Sequence, residues 1–178
     1  MKDSGAFSWK YGIWPQIMNK WVRRSAEVLI FFLILFSVRY WQQRDVPSGP
    51  APVLEGRLLD GRIVPEFSGR PYLVHFWATW CPICKTEEGS IDEIAKNHPV
   101  VTVALKSGEA SEVWKYMREH SLHFPVLNDP DGGISAAWGI HAVPASFVIG
   151  PEGKIRFVEF GYTSSIGLKA RLWLAGFV

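Results

Sequence analysis

The sequence predicts an α/β fold, a central mixed β-sheet flanked by helices on both faces, carried behind an N-terminal apolar helix. Three observations predict it. Apolar, strand-like runs alternate with amphipathic stretches over the larger, C-terminal part of the chain. One uninterrupted apolar run between charged flanks occupies the N-terminal part, and a Pro/Gly-rich stretch divides the two.

The apolar run is VLIFFLILFSV, Val28 to Val38, with Arg23, Arg24 and Glu27 before it and Arg39 after it. Counted from Ser25 to Trp41 it has seventeen residues, which at helical rise is roughly 25 Å, the short end of a membrane span. Crossing requires Glu27 and Arg39 at opposite interfaces, with Tyr40 and Trp41 at headgroup depth. Lys10, Lys20, Arg23 and Arg24 precede the run, so residues 1–24 are expected as a cytoplasmic tail, 25–41 as the transmembrane segment, and everything beyond as translocated. A cleaved signal peptide also uses a basic flank and an apolar core. Here SVRYWQQ stands where a small-x-small cleavage site should follow, so an uncleaved anchor is the preferred reading, and a buried soluble helix the least favoured. Either exported reading puts the cysteines in an oxidising compartment, where disulfide chemistry is possible. Charge agrees: seven Lys/Arg against three Asp/Glu precede Pro52, and twelve against fourteen follow from it. A basic end on a slightly acidic body is not the footprint of a nucleic-acid binder.

Residues 42–52, which include DVPSGPAP, are read as a linker, and 53–178 as the folded domain. Asp60-Gly61 between VLEGRLL and RIV suggests a small hairpin on a type I′ turn. YLVHFWAT, Tyr72 to Thr79, suits a central strand buried on both faces. A helix begins at the cysteines, continues through IDEIAKN and stops before Pro99; VVTVALK, Val100 to Lys106, is a second buried strand. SEVWKYMREH is amphipathic, with Val113, Tyr116 and Met117 on one face. FPVLND follows, then a strand at Ala145–Ile149, the turn GPEGK, the strand IRFVEFG and a last helix from about Ser165 to Ala175. No repeat or low-complexity tract interrupts this order.

Both cysteines of the chain, Cys81 and Cys84, fall where the central strand hands over to a helix. A thiol at a helix N-terminus faces unpaired N–H groups and the positive end of the dipole, which favours the thiolate and marks Cys81 as the nucleophile. Pro82 fits the first turn, and Cys84 lies close enough to resolve a mixed disulfide formed at Cys81. Three uses of the pair are open: dithiol exchange, Cu(I) carriage and structural cross-linking. A bridge across two residues closes too small a ring to stabilise much. His75, His98, His120, His123 and His141 form no recognisable second ligand pair for zinc, so no metal site is expected. Dithiol exchange, with no cofactor, is preferred.

FWATWCPICKTEE resembles the thioredoxin superfamily, in its exported, membrane-tethered thioredoxin-like (TlpA/ResA-like) branch. NDPDGGISAAWGIHAVPASFVIGPEGKIRF extends the likeness, and EEGSI, VALKSG and VPASFVI make the chain most similar to the suppressor-of-copper-sensitivity protein D type of Gram-negative bacteria. The resemblance implies a thioredoxin fold over about residues 53–178 and a Cys81–Cys84 redox disulfide. It also implies Trp80 as a flat wall beside the thiols, and a cis Val143-Pro144 bond across from them that binds an extended partner chain. A cis X-Pro bond leaves the preceding backbone free to pair, although a trans proline entering an edge strand is the plain alternative. Glu87 matches the family's glutamate and is either a proton carrier for Cys84 or an exposed helix carboxylate. Glu88 is expected in solvent.

Two positions depart from the pattern. Gly89 stands where the family helix often has proline, so any kink there must come from glycine. His75 stands where thioredoxin has a buried aspartate, and is read as a hydrogen-bonded core residue in preference to a proton shuttle. With the compartment that the resemblance implies, the expectation as a whole is a thiol–disulfide oxidoreductase anchored in a bacterial inner membrane through residues 25–41, its domain in the periplasm, acting on exported proteins with disulfides or thiols. It is expected to act as a reductant linked to copper tolerance and recharged by a membrane electron donor of the DsbD-like kind. The alternatives are a cytochrome c maturation thiol reductase and a non-enzymatic Cu(I)-binding module.

Overall fold

The computed structural model describes residues 14–43, 49–67 and 69–177, with side chains from Lys20 to Ser37 in the first stretch. The chain divides into two compact units, Met1–Arg44 and Asp45–Val178.

The first unit holds helix α1, Trp14–Gln43. Its apolar side chains from Val28 to Phe36 are exposed, and Arg23 pairs with Glu27 one turn on, at 3.4 Å. Among the described residues no helix is long and apolar enough to cross a membrane. The expected span at 25–41 is therefore found only as helix backbone. The reason is local: the run Val28–Val38, apolar but for Ser37, covers about 16 Å of helix, half a hydrocarbon core, and Lys20, Arg23, Arg24 and Glu27 occupy the turns before it. The interfacial side chains expected at Tyr40 and Trp41 lie outside the described residues, as does the tail before α1. Of the expected linker 42–52, residues 42–43 continue α1, 44–48 lie outside the described residues, and Gly49–Ala51 pair with the turn at Gly153–Ile155.

The second unit is a five-stranded mixed sheet with helices on both faces. Its elements are β1 Tyr72–Trp77, α2 Pro82–Ala95, β2 Val100–Leu105, α3 Ala110–Glu119, β3 Val126–Asp129, α4 Gly133–Ala137, β4 Ala145–Ile149, β5 Ile155–Phe160 and α5 Ser165–Ala175. The strand order is β3-β2-β1-β4-β5. β1, β2 and β3 run parallel, while β4 is antiparallel to both β1 and β5. The run FPVLND thus supplies an edge strand, and the stretch after it a short helix.

Strand alternation sorts the core into two layers. From β1, Leu73 and Trp77 join Cys81, Cys84, Ile91 and Ile94 of α2, Val113 and Met117 of α3, and Leu168 and Leu172 of α5. Val74 and Phe76 point the other way and pack with Trp138, Ile140 and Phe147. Trp138 sits edge-on to Phe147 and tilted against Phe76, with centroids 5.0 and 5.5 Å away. Trp77, buried in the sheet's centre, donates its indole N–H to Thr102 Oγ1 at 3.1 Å, which in turn donates to the Pro125 carbonyl.

The Asp60-Gly61 turn differs from expectation. Leu58 N–H reaches the Arg62 carbonyl at 2.7 Å and Gly61 N–H the Leu58 carbonyl at 2.9 Å, and only Gly61 has a positive φ. A type I′ turn needs two such residues. Asp60 instead bonds forward to the Arg62 N–H and guanidinium, which favours a three-residue loop closed by the glycine.

Candidate active site

β1 leaves the sheet centre at Trp77 and delivers Ala78-Thr79-Trp80 to the start of α2, so the site grows from the C-terminal end of the central strand. Cys81 is the N-cap of α2, in extended backbone conformation, with Pro82 in the first turn. Its sulfur accepts the Cys84 N–H at 3.1 Å, the role a serine or aspartate oxygen plays at other helix starts. Cys81 and Cys84 form a disulfide, their Cα atoms 5.3 Å apart, and both are buried. When the bond is reduced, the Cys81 thiolate occupies the same cap, where free N–H groups and the helix dipole stabilise its charge.

Three segments from later in the chain close around this pair. The Val143-Pro144 peptide bond is cis, and the Val143 carbonyl oxygen lies 3.7 Å from Cys81 Sγ. The Pro144 carbonyl accepts the Gly161 N–H at 2.9 Å, which ties the end of β5 to the same place. On the opposite flank, Trp80 is exposed but held, its indole N–H donated to the Lys106 carbonyl at 3.0 Å. Thr79 N–H donates to Ser107 Oγ, itself bonded to the Leu105 carbonyl.

Glu87 is fully buried one turn beyond Cys84, on the same face of α2. The helix carboxylate expected either in solvent or as a proton carrier is therefore enclosed. Thr163 N–H donates to its Oε1 at 3.2 Å, while Oε2 is buried without a hydrogen-bond partner among the described residues. Burial pushes the carboxyl up to about 7, against the downward pull of the Thr163 N–H. Glu88, expected in solvent, accepts the Tyr116 hydroxyl at 2.8 Å; burial, and then this carboxylate, raise the phenol. α2 runs unbroken past Gly89.

His75 lies on the Leu73/Trp77 side of β1 and is buried, with Nδ1 2.9 Å from Ser146 Oγ on the neighbouring strand. Burial pushes the imidazole down to about 3, so it is neutral at physiological pH. This is a hydrogen-bonded core residue. Among the described residues no group of three or more His, Cys, Asp or Glu side chains converges on a point where a cation would sit.

The structure thus brings Trp80, Cys81, Cys84, Val143 and Pro144 to one end of the sheet and places Glu87 one turn beneath. Sequence reasoning missed Lys106, Ser107 and Thr163. The first two stand in VALKSG, where nothing local shows that they grip the Thr79-Trp80 turn. Thr163 is separated from Glu87 by 76 positions.

Residues 49–158 match the AhpC/TSA family. A thioredoxin-like protein of Haemophilus influenzae is 31% identical over 164 residues, covering 90% of this chain and 98% of that protein. A thiol:disulfide interchange protein DsbE homolog of Paracoccus denitrificans is 34% identical over 115 residues, 63% of this chain and 62% of that protein. Among solved structures, StoA of Bacillus subtilis superposes with a TM-score of 0.59 at 28% identity, over 70% of this chain and 98% of that one.

Proposed function

The chain belongs to the AhpC/TSA family of thioredoxin-like proteins, and on that premise we propose that it is a membrane-tethered, exported reductant of protein disulfides. Its chemistry is that of a thiol–disulfide oxidoreductase. The observation that carries the reading is the placement of the Cys81–Cys84 disulfide: its first sulfur caps α2 while facing the Val143 carbonyl, on the backbone where an extended client would lie.

In the reduced protein the Cys81 thiolate attacks one sulfur of a client disulfide. A Cys81–client bond forms, the client S–S bond breaks, and the first client sulfur leaves and takes a proton. Cys84 gives its proton to the Glu87 carboxylate and attacks Cys81, which forms the internal disulfide and expels the second client thiolate. Two electrons pass to the client. A carboxyl poised near neutrality suits this exchange, because it accepts the proton in one half-cycle and returns it when a donor reduces the pair again. Trp80 and Val143-Pro144 are the client-facing surface. The donor is a dithiol protein of the DsbD-like kind in the same membrane.

Direction of electron flow is testable by the reduction potential of the full chain in detergent. The expected value is close to that of thioredoxin, about −270 mV, whereas a value near about −120 mV would make the protein an oxidant.

Tethering is supported by the apolar stretch of α1 behind Lys20, Arg23 and Arg24. Alkaline phosphatase fused after Pro52 should be active and sediment with membranes. A soluble active fusion means cleavage, and an inactive one reverses the topology. The link to copper tolerance rests on the similarity of EEGSI, VALKSG and VPASFVI to the copper-sensitivity suppressors. Cells lacking the gene should grow poorly in copper and recover with the wild-type protein but not with Cys81→Ser; equal growth of all three strains removes copper from the proposal.

A further inference from the structure

The solvent face of α5 is apolar from end to end. Leu168, Leu172 and Ala175 are buried against the sheet. Ile166, Ala170, Trp173, Leu174 and Phe177 are all exposed, at the helical spacing i, i+4, i+7, i+8 and i+11. Ile166 is 79% exposed, Trp173 65%, Phe177 73% and Leu174 42%. The Trp173 and Phe177 rings meet edge to face, centroids 4.8 Å apart. α3 belongs to the same core layer, and its outer face is mixed, with Ser111, Lys115 and Arg118 turned to solvent around a single exposed aromatic, Trp114. A helix apolar on both faces but packed on one leaves the other for a partner.

We propose that this face lies on the surface of an anionic bilayer, the one to which the domain is tethered, with Trp173 and Phe177 at headgroup depth. The proposal rests on the reading of α1 as the membrane anchor. Three observations favour a bilayer as the occupant. Only 44–48 separate α1 from Gly49, and a chain of that length spans at most about 20 Å when fully extended, so the domain is confined near the membrane. The exposed set is tryptophan, phenylalanine, isoleucine, leucine and one alanine, a composition that suits an interfacial helix. The charges also suit anionic headgroups. Glu93 and Glu159, the carboxylates bonded to α5, are each held by a cation of that helix, Lys169 and Arg171. Exposed Lys96 caps α2 one turn beyond Glu93, and exposed Arg70 precedes Pro71, whose Cγ lies 3.6 Å from where a Cβ on Gly176 would stand.

The orientation has a use for the reaction. α5 runs beside α2 in the same direction, with Thr163 bonded to Glu87 and Lys169 to Glu93. Docking α5 therefore keeps the dithiol one helix away from the bilayer, close to a membrane-embedded donor.

The test uses the full chain labelled with 5-fluorotryptophan, in nanodiscs of phosphatidylethanolamine and phosphatidylglycerol that carry a nitroxide on the lipid headgroup. Fluorine resonances are assigned by single Trp→Phe variants. The expected result is loss of the Trp173 signal while Trp114, on α3 across the helical layer, keeps its intensity. Phe177→Asp should restore the Trp173 signal and leave disulfide reduction unchanged. Trp21, on α1, reports the anchor separately. Loss of Trp21 with Trp173 intact overturns the docking and leaves the anchor standing, whereas survival of both overturns the two together. A Trp173 signal that the nitroxide spares but that shifts with protein concentration assigns the face to a second copy of the chain and overturns the bilayer.

Discussion

Exported to a bacterial periplasm, Cys84→Ser accumulates client proteins as DTT-sensitive mixed disulfides, and Cys81→Ser accumulates few. Both lose turnover by roughly three orders of magnitude or more, since each removes one member of a two-thiol unit. The asymmetry follows from the cap. Cys81 Sγ faces the Val143 carbonyl, on the backbone proposed to receive a client strand, and accepts the Cys84 N–H. Cys84 lies one turn further along α2, buried on the helix face that also carries Glu87 and Ile91. In reduced protein, iodoacetamide should accordingly modify Cys81 first, with an apparent pKa below the free-thiol value of about 8.5. Acid quenching, alkylation and paired reducing and non-reducing gels read the trapping. Equal trapping by the two variants would dissolve the division into attacker and resolver.

The second large effect is a pair of opposite pH dependences that cancel in the wild type. Glu87 has its carboxyl raised from 4.5 to about 7 in the folded state. Its protonated form belongs to the fold, and stability present below 4.5 is lost as pH rises toward 7. His75 is lowered from 6.5 to about 3. Its neutral form belongs to the fold, and stability present above 6.5 is lost as pH falls. Between these limits one group releases a proton on unfolding while the other takes one up, so the two slopes, each about 1.4 kcal/mol per pH unit, offset each other. Glu87→Gln should uncover the histidine, with the oxidised protein losing about 2–3 kcal/mol from pH 6.5 to 4.5. His75→Asn, which can still bond Ser146, should uncover the glutamate and lose a similar amount in the reverse direction. Urea unfolding across this range measures both. Parallel curves for the two variants would mean that neither group is buried as described.

What was legible in the sequence follows the range of the interactions involved. The strands β1, β2, β4 and β5 and the helix α5 are set by runs of five or more residues with a clear pattern, and their positions agree with the sequence reading. The dithiol at a strand-to-helix junction was equally plain, because a strand, a proline in the first turn and two cysteines are neighbours in the chain. β3 has four residues and α4 five, too few for a period to show. The turn at Asp60-Gly61 was misjudged because the dipeptide serves two turn types, and the choice lay with the Asp60–Arg62 contacts. Glu87 could not be placed from its own neighbourhood: on a helix that also carries Lys85, Glu88 and Glu93, nothing but the arrival of α5 distinguishes it. His75 was legible as a core residue from its place in a strand buried on both sides, while its partner Ser146 depended on the register of β4.

The hydrogen bond from Thr163 to Glu87 also has a bearing on biogenesis. If the domain is exported as proposed, its residues cross in chain order, and both cysteines emerge before Val143, Gly161 and Thr163. At that stage the thiols are two ordinary side chains near the start of an incomplete domain, and Glu87 is an ordinary solvated acid. Only when the final hairpin and helix have crossed and folded does the carboxyl lose its water and the Val143 backbone take its place beside Cys81. The newborn protein is thus chemically unremarkable while its sulfurs are most exposed, and it acquires its redox character in the last act of its own delivery.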